Sequence, residues 1–183
     1  MSHCLDIFRY CPVCGSQHFI ENNVKSKKCA DCGFVYYLNP SAATAAFIEN
    51  EQGELLVCRR GKEPVKGTLD LPGGFTDMEE TSAETIAREI KEELNLTVES
   101  SEILFSLPNW YCYSGMNIPT LDFFFVCNIS DFSTLQAADD VAEAFFVKSE
   151  DLDPEQFGLT SIRKAVSIYK EKKTQANRSC DKN

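Results

Sequence analysis

The chain has 183 residues, 43% of them hydrophobic and 25% charged, with a formal net charge of −10. That length suits one main domain plus a small module. So acidic a chain is a poor general nucleic-acid binder, and it holds no apolar run long enough to span a membrane.

The first ten residues, MSHCLDIFRY, are charged and interrupted and lack the apolar core of a signal peptide. Nine cysteines without a secretory signal argue against a disulfide framework, so a reducing cytoplasm is the expected location. Residues 1–7 read as an arm of undetermined structure. From Phe8 to Tyr37, Cys11, Cys14, Cys29 and Cys32 form C-x2-C-x14-C-x2-C, with Gly15 and Gly33 after the second cysteine of each pair. Two such turns bring four thiolates to one tetrahedral point, the closed geometry of structural zinc. A redox C-x-x-C instead needs a single pair beside a βαβ pattern. Arg9, Lys25, Lys27 and Lys28 face only Glu21 and Asp31 in this segment, an excess too slight for a phosphate-binding face. A scaffold or interaction role is expected.

Leu38 to Ser41 read as a linker, and residues 42–172 as the main domain. Ala42 to Ile48 and Leu55 to Arg60 are predicted strands joined as a hairpin by residues 49–53. Arg59, Arg60, Lys62 and Lys66 then make a basic stretch, either a solvated loop or a grip on a di- or triphosphate. The pair Gly73–Gly74 permits a tight turn and close approach of backbone to ligand. Beyond it, Thr81 and Glu84 supply a capping box for a helix over Ser82–Leu94. At about 100° per residue, Glu92 and Glu93 fall within roughly 60° and 40° of Glu89, beside an apolar arc of Ala83, Ile86, Ala87, Ile90 and Leu94. Carboxylates crowded in this way repel one another by about 0.2–0.5 kcal/mol per helical pair. A hard cation such as Mg²⁺ or Mn²⁺ removes that penalty.

After the helix, residues 97–107 and 120–129 read as strands, with residues 108–115 as an aromatic loop. In it Trp110, Tyr111 and Tyr113 either stack a flat ligand or pack the core. Residues 141–148 form a further predicted strand. Residues 159–172 have helical spacing, with Ile162, Ala165, Val166 and Tyr169 on one face. Residues 173–183 read as a polar, disordered tail.

Gly74, Glu80, Arg88, Glu89, Ile90, Glu92, Glu93 and Leu96 fit the box G-x5-E-x7-R-E-U-x-E-E-x-G-U, and the chain therefore resembles the Nudix hydrolases. Asn95 stands where the box has its second glycine, at a left-handed cap position that asparagine also tolerates. The resemblance implies an α/β/α sandwich over residues 42–172 with a small N-terminal zinc ribbon. It also implies metal-dependent hydrolysis of a nucleoside diphosphate linked to another group. In that reading Glu89, Glu93 and Glu92, with the Gly73 carbonyl, hold Mg²⁺ or Mn²⁺, and Arg88 fixes a carboxylate. Glu80 supports the loop, and Glu143 adds a ligand or base, with Asp139 and Asp140 as runners-up. Arg59, Arg60, Phe75 and Trp110 are the expected substrate contacts.

A ribbon ahead of such a domain resembles the NADH pyrophosphatase-like enzymes, some of them homodimers, which implies a homodimer here. Residues Ser106 to Tyr111 only echo the S-Q-P-W-P-F-P string of that group, leaving NADH, NAD⁺ and ADP-ribose open. The competing reading is a non-enzymatic nucleotide-sensing or interaction protein. Its mark would be a lost carboxylate in the box, and none is lost.

Overall fold

The structure is a computed structural model that describes residues 3–180, with the side chains of 176–180 left aside. The chain divides into two compact units, Met1–Pro40 and Ser41–Asn183.

In the first unit, strands β1 (Phe19–Asn23), β2 (Ser26–Cys29) and β3 (Val35–Tyr37) form an antiparallel sheet in that order. Gly15 and Gly33 close matching turns, their N–H groups donating to the carbonyls of Cys11 and Cys29 at 2.9 and 3.0 Å. Both glycines have positive φ, +74° and +78°, so a larger residue would strain each turn. The expected N-terminal arm is in part structured. Leu5 is fully buried, and the Lys27 ammonium donates to the carbonyls of Leu5 and Phe8.

At the centre of the second unit, residues 44–47 and 55–58 are buried on both faces of their strands, the pattern of a sheet covered on both sides. Strand β4 (Ser41–Phe47) pairs in parallel with β8 (Met116–Asn128), which pairs antiparallel with β7 (Ser100–Tyr113). A second sheet has the order β6 (Leu69–Asp70), β5 (Leu55–Arg60), β9 (Val141–Val147). Two helices flank the strands, α1 (Ser82–Leu94) and α2 (Thr160–Cys180). Alternation along the strands divides the interior in two. Ala45, Phe47, Leu55, Val57 and Phe124 pack with Ile162, Ala165, Val166 and Tyr169 of α2. Ala46, Ile48, Leu56, Cys58 and Phe125 pack with Ile86, Ile90 and Leu94 of α1. Each large side chain buried in this way contributes about 1.5–3 kcal/mol. The arrangement is the expected α/β/α sandwich.

Several boundaries differ from the sequence reading. Residues 49–53 do form a turn, but β4 and β5 separate into different sheets after one bridge, Glu49 to Leu55. The aromatic segment 108–113 continues β7 rather than forming a loop, with the reversal falling at Ser114–Gly115. Pro108 is tolerated because β7 pairs on one side only, and an edge strand needs no second donor there. Ala83, expected on the apolar arc, is exposed on the first turn of α1, and Thr85, outside that arc, is buried.

Helix α2 runs on through 173–180 where a disordered tail is expected, while 181–183 lie outside the described residues. Lys173 anchors that extension by pairing with Glu49 at 2.5 Å. No helix among the described residues is long and apolar enough to cross a membrane.

Helix α1 ends as its sequence demands. Asn95 adopts φ +55°, its N–H donates to the Lys91 carbonyl, and its side-chain amide donates to the Thr134 carbonyl at 3.2 Å. Asn95→Gly relieves the left-handed backbone but loses the amide bond, so its thermal stability should stay close to wild type. Asn95→Val incurs both losses, about 1–3 kcal/mol, measurable by denaturant unfolding.

Candidate active site

The segment before α1 docks along the outer edge of β4. Thr44 N–H donates to Gly74 O at 2.8 Å, Ala46 N–H to Pro72 O at 2.9 Å, and Thr76 N–H to Ala42 O at 3.0 Å. The fit leaves no room for side chains at the two glycines. A Cβ on Gly73, whose φ is +141°, would lie 2.2 Å from the Thr44 carbonyl oxygen. A Cβ on Gly74 would lie 2.5 Å from the carboxylate of Glu89. The turn is thus pressed onto the helix, and Gly73 N–H donates to Glu93 Oε2 at 3.0 Å.

Thr81 and Glu84 form the full capping box that starts the helix. One turn on, Arg88 commits every donor of its guanidinium. Nε and Nη2 grip Glu80 at 2.7 and 2.9 Å, Nη1 reaches Glu89 and Glu92 at 2.9 and 3.0 Å, and Nη2 also donates to Phe75 O at 3.1 Å. The Arg88 pairing, with smaller contributions from the Asp77 N–H and the Thr85 hydroxyl, holds the Glu80 carboxyl down at about 2 against the cost of burial. At the other end of the helix, the N–H groups of Gln136 and Ala138 donate to the carbonyls of Leu94 and Glu93. Those bonds fix the loop that carries Asp139 and Asp140.

These elements enclose a cavity of about 280 Å³ within the second unit. Seven carboxylates line it. Asp77, Glu89 and Glu93 come from the box, Asp139 and Asp140 from the loop after β8, and Asp70 and Asp122 from the strands. Among the described lining residues Arg60 is the one cation, and it is already paired with Asp70 at 2.6 Å. The electrostatic consequence is visible at Glu93, only 7% exposed. Burial pushes its carboxyl up to about 8; the Gly73 N–H opposes this, and the charges of Glu89, Asp70 and Asp140 reinforce it. Burial likewise pushes Glu89 up, against Arg88 and with the charges of Glu92 and Asp139. A concentration of hard oxygen donors short of positive charge is the donor set that a divalent cation of the Mg²⁺ or Mn²⁺ kind takes.

The structure brings together Glu89, Glu93, Gly73, Phe75 and Arg60 at this cavity. Glu92 holds Arg88 from the rim, its side chain 52% exposed. Arg88 itself sits behind the carboxylates rather than in the lining. Three expected site residues are placed elsewhere. Glu143 faces outward on β9, paired with Arg59 at 2.9 Å, and the runners-up Asp139 and Asp140 occupy the cavity wall instead. Arg59 also spends a donor on the Gly67 carbonyl. Lys62 of the basic loop is bound by Asp139 and Asp140. Trp110 is 62% exposed, because strand alternation turns Asn109 and Tyr111 toward the cavity and Trp110 away.

Sequence reasoning missed Asn109, Asp122 and Asp70 as lining residues. The period-2 pattern of 107–111 would have pointed to Asn109 had that segment been read as strand.

In the first unit, the sulfur atoms of Cys11, Cys14, Cys29 and Cys32 all lie within 4.8 Å of one another. The N–H of Cys32, opposed by burial and aided by the Asp31 N–H, pulls the Cys29 thiol down to about 6. The Ser16 N–H favours a thiolate at Cys14, but Cys32, burial, Cys29 and Cys11 together push it up to about 12. Four sulfur atoms gathered this closely are a set that fits a closed metal site.

A model of the NUDIX domain family matches residues 39–166. The chain is 32% identical over 136 residues to an ADP-ribose pyrophosphatase of Methanocaldococcus jannaschii, covering 73% of this chain and 77% of that protein. It is 26% identical over 153 residues to the NAD-capped RNA hydrolase NudC of Vibrio vulnificus, covering 83% of this chain but only 55% of the relative. A NUDIX hydrolase from Nitrosomonas europaea superposes with a TM-score of 0.71 at 22% identity, over 91% of this chain and 93% of that one. That last likeness concerns the fold.

The pairing of Glu80 with Arg88 carries a pH signature. A carboxyl whose folded value lies near 2, below its ordinary 4.5, stabilises the fold fully above 4.5 and loses that contribution as the pH falls toward 2. Acid titration of thermal stability should therefore show a shallower loss between pH 4.5 and 2 in Glu80→Gln than in wild type.

Proposed function

The chain belongs to the NUDIX family, and from that premise we propose that it is a pyrophosphohydrolase cleaving a nucleoside diphosphate linked to another moiety, of the ADP-ribose or NAD class. The observation that carries this reading is the charge balance of the cavity, seven carboxylates against one already paired arginine. An anionic diphosphate has no free cation to bind among those lining residues, so the substrate has to arrive with divalent metal. Glu89, Glu93 and the Gly73 carbonyl are the groups that would hold it, with Asp139 and Asp140 close by. A divalent cation held there would supply positive charge to the diphosphate and lower the pKa of a water.

The chain's own residues supply the rest. Arg88 immobilises Glu89 and Glu92 in one arrangement, which removes the reorganisation a flexible glutamate would need. Gly73 N–H orients Glu93, leaving the second carboxylate oxygen for a ligand or a water proton. Phe75 and Tyr111 meet edge to face with centroids 5.2 Å apart and wall the entrance with aromatic surface. Arg60 is held by Asp70, the Pro64 carbonyl and the Tyr111 hydroxyl, so its charge is spent and it serves as a fixed wall of the cavity. The relatives named above support ADP-ribose and NAD-type diphosphates as the substrates to test first. The non-enzymatic alternative finds no support, since every carboxylate of the box is present and the glycine turn is closed on the helix.

In a screen with Mg²⁺ and Mn²⁺ over ADP-ribose, NAD⁺, NADH and nucleoside triphosphates, Glu93→Gln should lower kcat/KM by at least about 10²-fold. Glu143→Ala should leave it nearly unchanged. Equal activity of Glu93→Gln and wild type would overturn the site. For the first unit we propose structural zinc on the four cysteines. Elemental analysis of protein purified without chelator should find one zinc per chain, lost in Cys29→Ser.

A further inference from the structure

The proposed hydrolysis concerns the carboxylate end of the cavity. Another part of its wall, from β7, β8 and the chain at the start of α2, is formed by Asn109, Thr120, Asp122, Leu159 and Ile162. On the β7–β8 hairpin Asn109 lies opposite Thr120, and Asp122 is two residues further along, so all three share one face.

Asn109 is only 7% exposed, yet among the described residues its side-chain amide has no hydrogen-bond partner. Its amide is not sealed from solvent, so two donors and an acceptor stand open to the cavity for a ligand. Asp122 is a second reader, 6% exposed. The Thr120 hydroxyl donates to one of its oxygens at 2.6 Å and the Ser161 hydroxyl to the other at 2.5 Å. Both bonds fix the carboxylate while leaving it acceptor capacity toward the cavity. Ala43, beside Asp122 in the parallel pair, is small enough to leave space there. Leu159 and Ile162 add apolar surface suited to a flat ring.

Resting on the nucleoside diphosphate reading, we propose that this part of the cavity wall recognises the substrate's base. It selects a base with an amino group beside a ring acceptor, such as adenine, over one with a carbonyl at the same place, such as hypoxanthine. The chemistry is directional. An asparagine amide pairs with an amino group and its neighbouring ring nitrogen through two hydrogen bonds. The second amino hydrogen is left for the Asp122 carboxylate. A carbonyl in that position sets acceptor against acceptor, and the buried groups of the site stay unpaired.

Calorimetric titration of the full-length protein in Mg²⁺ buffer with adenosine and inosine monophosphates tests this without any turnover. Wild type should bind the adenosine nucleotide at least tenfold more tightly. Asn109→Leu should lose at least tenfold of that affinity with its Tm unchanged or raised, because the amide it removes has no partner in the fold. Asp122→Asn, which exchanges an acceptor for a donor, should bring the two affinities close together. Equal binding of both nucleotides by wild type would overturn the proposal. So would wild-type affinity in Asn109→Leu, or a marked fall in its Tm, which would make the amide structural. The arms separate the two readings. A base preference without hydrolysis of any diphosphate derivative sinks the enzymatic assignment alone, and hydrolysis without a base preference sinks the subsite alone.

Discussion

The guanidinium of Arg88 is the constraint on which the site depends. Helix α1 carries three glutamates on one side, and left alone they would spread into solvent. Arg88 draws Glu80, Glu89 and Glu92 onto one planar fork and spends its remaining donor on the Phe75 carbonyl. One side chain thus ties the start of the helix region, two carboxylates of the active face and the turn before it. A lysine could satisfy the charge but not that geometry, since its ammonium offers a point charge rather than a rigid five-donor plane.

What Arg88 does from behind, the two glycines do from the front. The turn must approach β4 closely enough that Gly73 has backbone within van der Waals distance on the side where a Cβ would stand. It must also approach α1 closely enough that Gly74 faces Glu89. Only then does the Gly73 N–H reach Glu93. The same docking covers the free edge of β4, which would otherwise expose unpaired backbone groups. Site geometry and sheet protection therefore come from one set of contacts.

How much of this was legible depended on whether a residue's role follows from local spacing. The capping box, the left-handed Asn95, the cysteine turns and the carboxylate face of α1 are each set within a few residues of chain, and each reads directly. Roles set by cross-strand pairing do not. Glu143 was expected as a ligand or base from the resemblance to the Nudix hydrolases. Its side of β9 was decided by the register with β5, which places it against Arg59. Residues 108–115 read as an aromatic loop, and the edge position of β7 explains why a strand passes through Pro108. That misreading hid the alternation that turns Asn109 inward and Trp110 outward.

The cations nearest the site are all committed. Arg88 answers the box glutamates, Arg60 answers Asp70, and Lys62 answers Asp139 and Asp140. None of the three is free to neutralise Glu93, which is buried with three further acidic charges acting on it. Full ionisation of that group is unfavourable in the bare protein and becomes favourable when a multiply charged cation shares the cavity. On the proposed reading, a chain of net charge −10 would bind an anionic substrate in this way. Its acidity, which disfavours phosphate groups over the general surface, would at this one point be the means of recruiting the charge that binds them.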